Sequence, residues 1–413
     1  MGSAELLSPA GNLERLQIAL HYGADAVYVG ARQLSLRNYA DNFGPEELRQ
    51  GCGLAHAAGK KVYVALNAFA RDEDFNALPA LLSAVAEAGA DALIVNDPGI
   101  LRAVRRTLPD LPLHLSTQAN TLNSEAATFW YEQGIKRIVL ARELSIEQIA
   151  GLRAKTPSGL ELEAFVHGAM CMAYSGRCLL SNYIAGRDSN RGECAQPCRW
   201  AYELRERGAQ GEYFSIEQGA EGSFVFNARD LRLMEYLPAL LRAGVCSCKI
   251  EGRMKSDAYV ATVTNAYRMA LDAYAGASAR GEADYTLPGA LLRELDKVSH
   301  RPYTTGFALG KPPENIQYTH SAGNITQADI AAIVLGYDAA GKVARVSQRN
   351  KFADGDMLHI LAPGDIGRAF RIAGIKTREG AAMESAPHPM EELYIGCAEP
   401  VQAGDILRIE RGG

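Results

Sequence analysis

The phrase "YGADAVYVG" (Tyr22–Gly30) returns three times along the chain, as "AGADALIVN" (Ala88–Asn96), "QGIKRIVLA" (Gln133–Ala141) and "AGVCSCKIE" (Ala243–Glu251). Each reads as a helix end, a glycine C-cap, a short loop and then an apolar strand, because glycine takes the left-handed conformation that closes a helix at little steric cost. Other strand-like runs are "AELLSPA", "KVYVALNAF", "LPLHLSTQAN" and "LELEAFVHG", with helical patterns such as "GNLERLQIALHYG" and "FNALPALLSAVAEAG" between them. Near-continuous apolar strands alternating with helices predict a parallel sheet covered by helices. Eight such strands within roughly 270 residues suit a (β/α)₈ TIM-like barrel, which takes about 250. The competing doubly wound open sheet would normally carry a Gly-rich phosphate loop after its first strand. "SPAGN" stands there instead.

Two regions break the rhythm. After the seventh strand an insertion runs over 168–223 and holds four of the eight cysteines. Beyond the eighth strand and its helix, a connection over 276–327 leads to alternating strands with turn signals ("YDAAGKV", "NKFADGD", "LAPGDIG"). The reading is therefore a barrel over 1–275 with a cysteine-bearing insertion, followed by a small antiparallel β-barrel over 328–413.

No apolar run approaches the roughly 20 residues of a membrane helix, so no membrane partner is expected. The N-terminus lacks the basic and apolar regions of a signal peptide, which makes the cytoplasm the expected compartment. In a reducing compartment clustered cysteines serve as metal ligands or reactive thiols more often than as disulfides. A formal charge of −5 argues against a global nucleic-acid-binding field; DNA is not an expected partner, and any RNA contact would use a local patch.

In a (β/α)₈ barrel the chemistry sits at the C-terminal ends of the strands. Those ends deliver Ser8, Asn67, Asn96 with Asp97, Gln118 with Asn120, Arg142 with Glu143, His167, and Glu251 with Arg253. The seventh strand runs from His167 straight into the cysteines, so these begin at the barrel mouth. Cys171, Cys178, Cys194 and Cys198 are spaced C-x₆-C-x₁₅-C-x₃-C. If "AMCMAYSGRCLLSNYI" is helical, Cys171 and Cys178 share a face, while "RGECAQPCRW", interrupted by Pro197, is better read as a tight loop folding back on them. Zinc favours short spacing in both halves, whereas an iron–sulfur cluster accepts unequal gaps. Spacing alone leaves iron–sulfur, zinc and redox thiols open. Cys246 and Cys248, two apart on a strand, read as packing residues.

With these residues the chain resembles the collagenase-like peptidase family, which includes RNA-hydroxylation and ubiquinone-hydroxylation proteins. The resemblance rests on "ELLSPAG", "YGADAVYVG", "LHLSTQAN", "ARELS", "FVHGAMCMAYSGRCLLSNYI", "GECAQPCRW", "KIEGRMKS" and "HRPYTTGF". It implies a 4Fe–4S cluster on Cys171, Cys178, Cys194 and Cys198. It also implies oxygen-independent formation of 5-hydroxyuridine at the tRNA wobble position with prephenate as co-substrate. An rRNA-cytidine branch of the family carries a longer C-terminal extension, and this chain ends after one small domain.

A dicarboxylate such as prephenate needs guanidinium partners; Arg37, Arg142, Arg177 and Arg253 are the candidates, with Asn67, Gln118 and Asn120 as further substrate-binding groups. His167, Tyr174 or Glu251 could move protons. Proteolysis finds no H-E-x-x-H and no G-x-S-x-G to support it. A non-enzymatic RNA-binding protein is the other rival: Trp200, Tyr202, Arg187, Arg191, Arg199, Arg205 and Arg207 interleave aromatics with positive charge. Asp188, Glu193, Glu203 and Glu206 dilute it.

Overall fold

The computed structural model describes residues 4–32, 34–35, 41–171, 173–174, 177–200, 228–282, 285–310 and 325–410. Two compact units emerge. The first comprises Met1–Leu20, Asp25–Lys255 and Arg301–Asn324, the second His21–Ala24, Ser256–His300 and Ile325–Gly413.

In the first unit, β1 (Glu5–Pro9), β2 (Ala26–Gly30), β3 (Lys61–Leu66), β4 (Ala92–Val95), β5 (Leu113–Leu115), β6 (Arg137–Val139) and β7 (Glu161–Ala169) pair in parallel in chain order. A short β8 (Asp230–Arg232) runs antiparallel to the end of β7. The eighth parallel strand, β9 (Val245–Ile250), pairs with both β7 and β1 and closes the barrel. All eight strands expected from the sequence are present. Between them run α1 (Leu13–His21), α2 (Pro45–Ala57), α3 (Leu78–Ala88), α4 (Pro98–Thr107), α5 (Ser124–Glu132) and α6 (Ile146–Lys155). The insertion contributes α7 (Leu180–Ala185), and α8 (Leu237–Arg242) leads into β9.

The glycines of the repeated phrase adopt the conformation their position demands. Gly23, Gly89, Gly134 and Gly244 have φ of 94°, 76°, 85° and 96°, a region in which a Cβ is strained. The N-termini are capped as locally: Asp97 accepts from the Gly99 and Ile100 amides at 2.8 and 3.1 Å, and Ser145 exchanges a capping box with Gln148.

Parallel strands covered on both faces usually turn apolar side chains inward. Here aliphatic and aromatic residues (Leu7, Ala26, Tyr28, Tyr63, Ala65, Ala92, Ile94) share the interior with charge. Glu163 is fully buried and accepts from Lys249 Nζ at 2.7 Å and from Arg137 Nη1 at 3.3 Å. Arg137 also grips Glu5 and Glu161, and the Tyr63 hydroxyl donates to Glu5 at 2.7 Å. Burial, and the cation of Arg137 beside it, push His114 down to about 3, so its imidazole is neutral.

The second unit is the antiparallel domain, as an eight-stranded sheet curled on itself rather than a closed barrel among the described residues. Its strand order is Ala369–Arg371, Met357–Leu361, Ile406–Glu410, Ala328–Asp338, Val343–Gln348, Glu392–Gly396, Ile375–Thr377 and Ala382–Met383. Val334, Val346, Ile360, Leu393 and Leu407 lie in its core. The division does not follow the boundaries read at 275 and 327. α9 (Asp257–Ala279), which follows β9, counts with this unit because Asn265 donates to the Ala362 carbonyl at 3.0 Å and accepts from the Gly364 amide at 2.8 Å. Sequence periodicity sees a helix but not which neighbour its buried amide chooses.

No helix among the described residues is long and apolar enough to cross a membrane.

Candidate active site at the barrel mouth

The C-terminal ends of the strands surround a small cavity. Among the residues proposed from the sequence, Asn67, Gln118, Arg142, Glu251 and Arg253 line it. Asn67 Nδ2 donates to Ser116 Oγ at 3.3 Å and to Gln118 Oε1 at 3.2 Å, so the ends of two strands, β3 and β5, share one amide–hydroxyl network. Arg142 lies over the Phe165 ring at 4.1 Å, donates through Nη1 to the Ala169 carbonyl at 2.6 Å, and stands 3.9 Å from Glu251. Its side chain is 7% exposed and its Nε is buried without a partner. A buried guanidinium N–H in a cavity wall is an anchor waiting for an acceptor.

Arg253 is 3% exposed and donates through Nη1 to Ser35 Oγ at 2.8 Å. It fits because β2 ends in Gly30: a Cβ there would meet Arg253 Nη1 at 1.8 Å. Sequence reading missed Lys249, whose ammonium lies 4.4 Å from the Tyr28 ring centroid in the cavity wall. The available signal was a lone charge inside the otherwise buried strand "VCSCKI". Three cations, Arg142, Lys249 and Arg253, thus face one cavity carboxylate, Glu251.

The remaining sequence-proposed residues lie elsewhere. Asn120, at φ 52°, accepts from Arg177 Nε at 3.0 Å. His167 is buried beside the Tyr303 ring, 5.4 Å between centroids, and is not among the cavity-lining residues. Phe165, two residues earlier, lines the cavity instead, because the pairing of β7 with β9 is irregular between Phe165 and His167. Tyr174 is exposed on the insertion. Arg37 lies outside the described residues, as do Tyr202, Arg205 and Arg207.

The cysteine segment is tied to the loops that rim this cavity. Arg191 grips Asp74 with two hydrogen bonds, 2.7 and 3.1 Å, and donates to the Phe69 carbonyl at 2.9 Å. The Phe69 amide in turn donates to the Asn190 carbonyl at 3.1 Å. Arg177 adds its bond to Asn120 and lies over the Phe69 ring at 5.7 Å. Arg191, counted among RNA-contacting candidates from sequence, is committed to this tether.

Among the described residues the helix expected across Cys171 and Cys178 is absent: both cysteines are outside regular structure and α7 begins only at Leu180. Gly176, between the two cysteines in sequence, is a poor helix former. "RGECAQPCRW" is the expected tight loop. Gln196 takes φ 56° and its amide lies 3.4 Å from Cys194 Sγ as a donor, and Pro197–Arg199 form one short turn. Ser189 and Asn190 brace Cys178 through its carbonyl and amide.

Burial pushes the Cys198 thiol up to about 11; Arg199 pulls it down, and Cys171, Cys194 and Cys178 each push it up. All four thiols therefore share one electrostatic neighbourhood. Among the described residues, no group of three or more His, Cys, Asp or Glu is drawn up to hold a metal ion. The four thiols, with the Arg199 cation beside Cys198, are the residues that would hold an anionic thiolate-bound cofactor. Cys248 is buried, and Cys246 Sγ lies 3.3 Å from the Leu162 carbonyl, both as packing residues of β9.

Comparison with known proteins adds the following. The profile "Peptidase family U32" matches residues 11–318, and "Peptidase family U32 C-terminal domain" matches 326–408. The chain is 40% identical over 405 residues to "tRNA hydroxylation protein P1" of Bacillus subtilis, covering 98% of this chain and 94% of that one. It is 36% identical to "tRNA hydroxylation protein P" of Escherichia coli, covering 94% and 92%. "23S rRNA 5-hydroxycytidine C2501 synthase" of Escherichia coli is 34% identical, matching 88% of this chain but 53% of its own length. A closed parallel barrel with a cysteine-bearing insertion, a curled antiparallel domain and both profiles matched in order make this chain a member of Peptidase family U32.

Proposed function

We propose that the chain hydroxylates RNA, forming 5-hydroxyuridine at the wobble position of tRNA with prephenate as hydroxyl source. Two near-full-length relatives carry tRNA hydroxylation in their names. A relative named for 23S rRNA 5-hydroxycytidine is 34% identical, against 40% and 36% for the two named for tRNA, and rRNA cytidine is the alternative substrate. The observation that carries the reading is the Arg191–Asp74 tether, which binds a four-cysteine segment to the rim of a cationic, amide-lined cavity.

In this reading Arg142 and Arg253 hold the carboxylates of the dianionic co-substrate, because guanidinium groups grip carboxylates through paired N–H donors, and Lys249, paired to Glu163, adds positive charge to the wall. Asn67, Ser116 and Gln118 offer amide and hydroxyl groups to the edge of a base. Glu251, 3.9 Å from Arg142, is placed to hold or move a proton at the cavity wall. Cys171, Cys178, Cys194 and Cys198 would hold a [4Fe–4S] cluster, which supplies electron transfer when all four thiolates bind it.

Mass spectrometry of tRNA nucleosides from cells with and without the gene tests the activity. 5-Hydroxyuridine is expected to vanish on deletion, to return with the wild-type gene, and to stay absent with Cys198→Ser or Arg142→Gln. Anaerobic preparations are expected to contain about four iron and four sulfide per chain, and Cys198→Ser to lose most of both. Colourless preparations from cells that still modify tRNA would remove the cluster from the reading. Hydrolysis of casein that depends on Cys171 would favour a peptidase instead.

A further inference from the structure

α7 is amphipathic in the wrong sense. A helix on a globular protein normally turns its apolar residues inward and its polar residues to water. Here Ser181 is the buried residue, 1% exposed and accepting from the Ala195 amide at 3.0 Å. Tyr183 is 83% exposed, and Leu179 and Ile184 are exposed beside it. The Pro197–Arg199 turn packs next to α7 and delivers Trp200, 43% exposed. Tyr174 is exposed on the same segment. Five of the twelve exposed large hydrophobic side chains among the described residues thus fall between Tyr174 and Trp200. Such concentration marks a surface that meets a partner.

The composition of this stretch says which partner. Three of the five side chains are aromatic. With Arg191 paired to Asp74, three arginines (Arg177, Arg187, Arg199) stand against two carboxylates, Asp188 and Glu193, in a chain whose net charge is −5. Asp188 is moreover within 3.4 Å of Arg71. Aromatic faces with local positive charge suit unpaired nucleotides, since every base has a π-face and every linkage a phosphate. The segment that carries them is anchored at the cavity rim by Arg191–Asp74 and Arg177–Asn120.

We propose that Tyr183 and Trp200, supported by Tyr174 and Arg177, form a stacking platform for the unpaired bases of an RNA loop beside the cavity. The inference rests on the RNA-modifying reading and deepens it: the substrate class is a single-stranded loop recognised by stacking, not a helix recognised by shape. Tyr183 and Trp200 are positioning residues for the RNA, outside the cavity where the base reacts.

The test uses the full chain and a synthetic, unmodified anticodon stem–loop, with a fully paired hairpin of the same length as comparison. Fluorescence anisotropy is expected to show tighter binding of the stem–loop, weakened by roughly tenfold in Tyr183→Ala and in Trp200→Ala, the range for one lost stacked base. Tyr183→Phe and Trp200→Phe should restore most of it, because they keep the ring. Phe129→Ala, an exposed aromatic on α5, should change nothing. Should the alanine variants misfold, 4-thiouridine placed in the loop is expected to crosslink wild-type protein at Tyr183 or Trp200. Wild-type affinity in both alanine variants, or crosslinks confined to other surfaces, would overturn the platform even if cells still make 5-hydroxyuridine. Equal affinity for loop and paired hairpin would overturn it as well. Loss of the RNA-modifying reading itself would show separately, as unchanged tRNA nucleosides in the deletion strain.

Discussion

Arg191 holds Asp74 through both terminal nitrogens, at 2.7 and 3.1 Å, across 117 residues of chain. This pair joins the cysteine segment to the loop after β3. The hydrogen bond from Arg191, more than its charge, holds the Asp74 carboxyl below its ordinary range. A carboxyl with a lowered folded-state pKa stabilises the fold above its unfolded value, about 4, and loses that contribution as pH falls through the folded value. Asp74→Asn should cost about 1 kcal/mol, because both side chains keep some solvent and screening is strong. Thermal melts are the check: the gap between wild type and Asp74→Asn should be present at pH 6 and close below about pH 4. A gap that persists in acid would count against the tether.

Gly30 is a space requirement rather than a turn. An added Cβ would sit 1.8 Å from Arg253 Nη1 and 2.4 Å from Asn42 Oδ1. Gly30→Ala should displace the guanidinium, costing about 1–3 kcal/mol as overpacking does. It should also lower 5-hydroxyuridine in cellular tRNA at least tenfold. A variant with normal tRNA would show that Arg253 is not needed where it stands.

The barrel interior gives a sharper stability prediction. Burial by itself would push the Glu163 carboxyl up, but Lys249 and Arg137 outweigh it and hold it down. Glu163→Gln leaves Lys249 and Arg137 short of a buried counter-charge and should cost about 3–5 kcal/mol. Adding Lys249→Met should return a sizeable part of that loss, since removing both charges of a buried pair is far cheaper than removing one. Urea unfolding of the two variants would decide it. The pH sign matches that of Asp74: the Glu163 contribution is complete above about pH 4.5 and declines in acid.

In the second unit Arg408 and Glu294 form an ion pair with both side chains 2% exposed. Glu294 keeps a second partner, Lys297, at 3.1 Å. Arg408→Met should therefore cost about 3 kcal/mol, the low end for a broken buried pair. Arg408→Met with Glu294→Gln should be milder than the single change. Calorimetry that finds the double variant worse would mean that shape rather than charge holds this site.

The order of elements was legible because it is written in short-range terms. Gly89, Gly134 and Gly244 each follow a helix at positive φ, and the short, largely apolar run after each has one favourable place, a covered parallel strand. Strand ends also name the mouth, so Asn67, Gln118, Arg142, Glu251 and Arg253 could be collected before any coordinates. Lys249 escaped because alternation along a strand says which residues share a face, not which face meets the cavity. His167 shows the same gap in reverse, since the irregular register between Phe165 and His167 on β7 decides which of them turns inward.

Periodicity and glycine placement were therefore enough to specify a closed barrel, an insertion after its seventh strand and a separate antiparallel domain. Packing alone decided that Arg191 serves a tether rather than an RNA contact, and that α9 belongs with the second unit. The physical reason is range. Backbone preference and apolar spacing act over a few residues, whereas a buried charge such as Glu163 or an anchored loop such as Asp188–Arg199 is stabilised by partners tens to hundreds of positions away. Those partners exist only once the chain has folded.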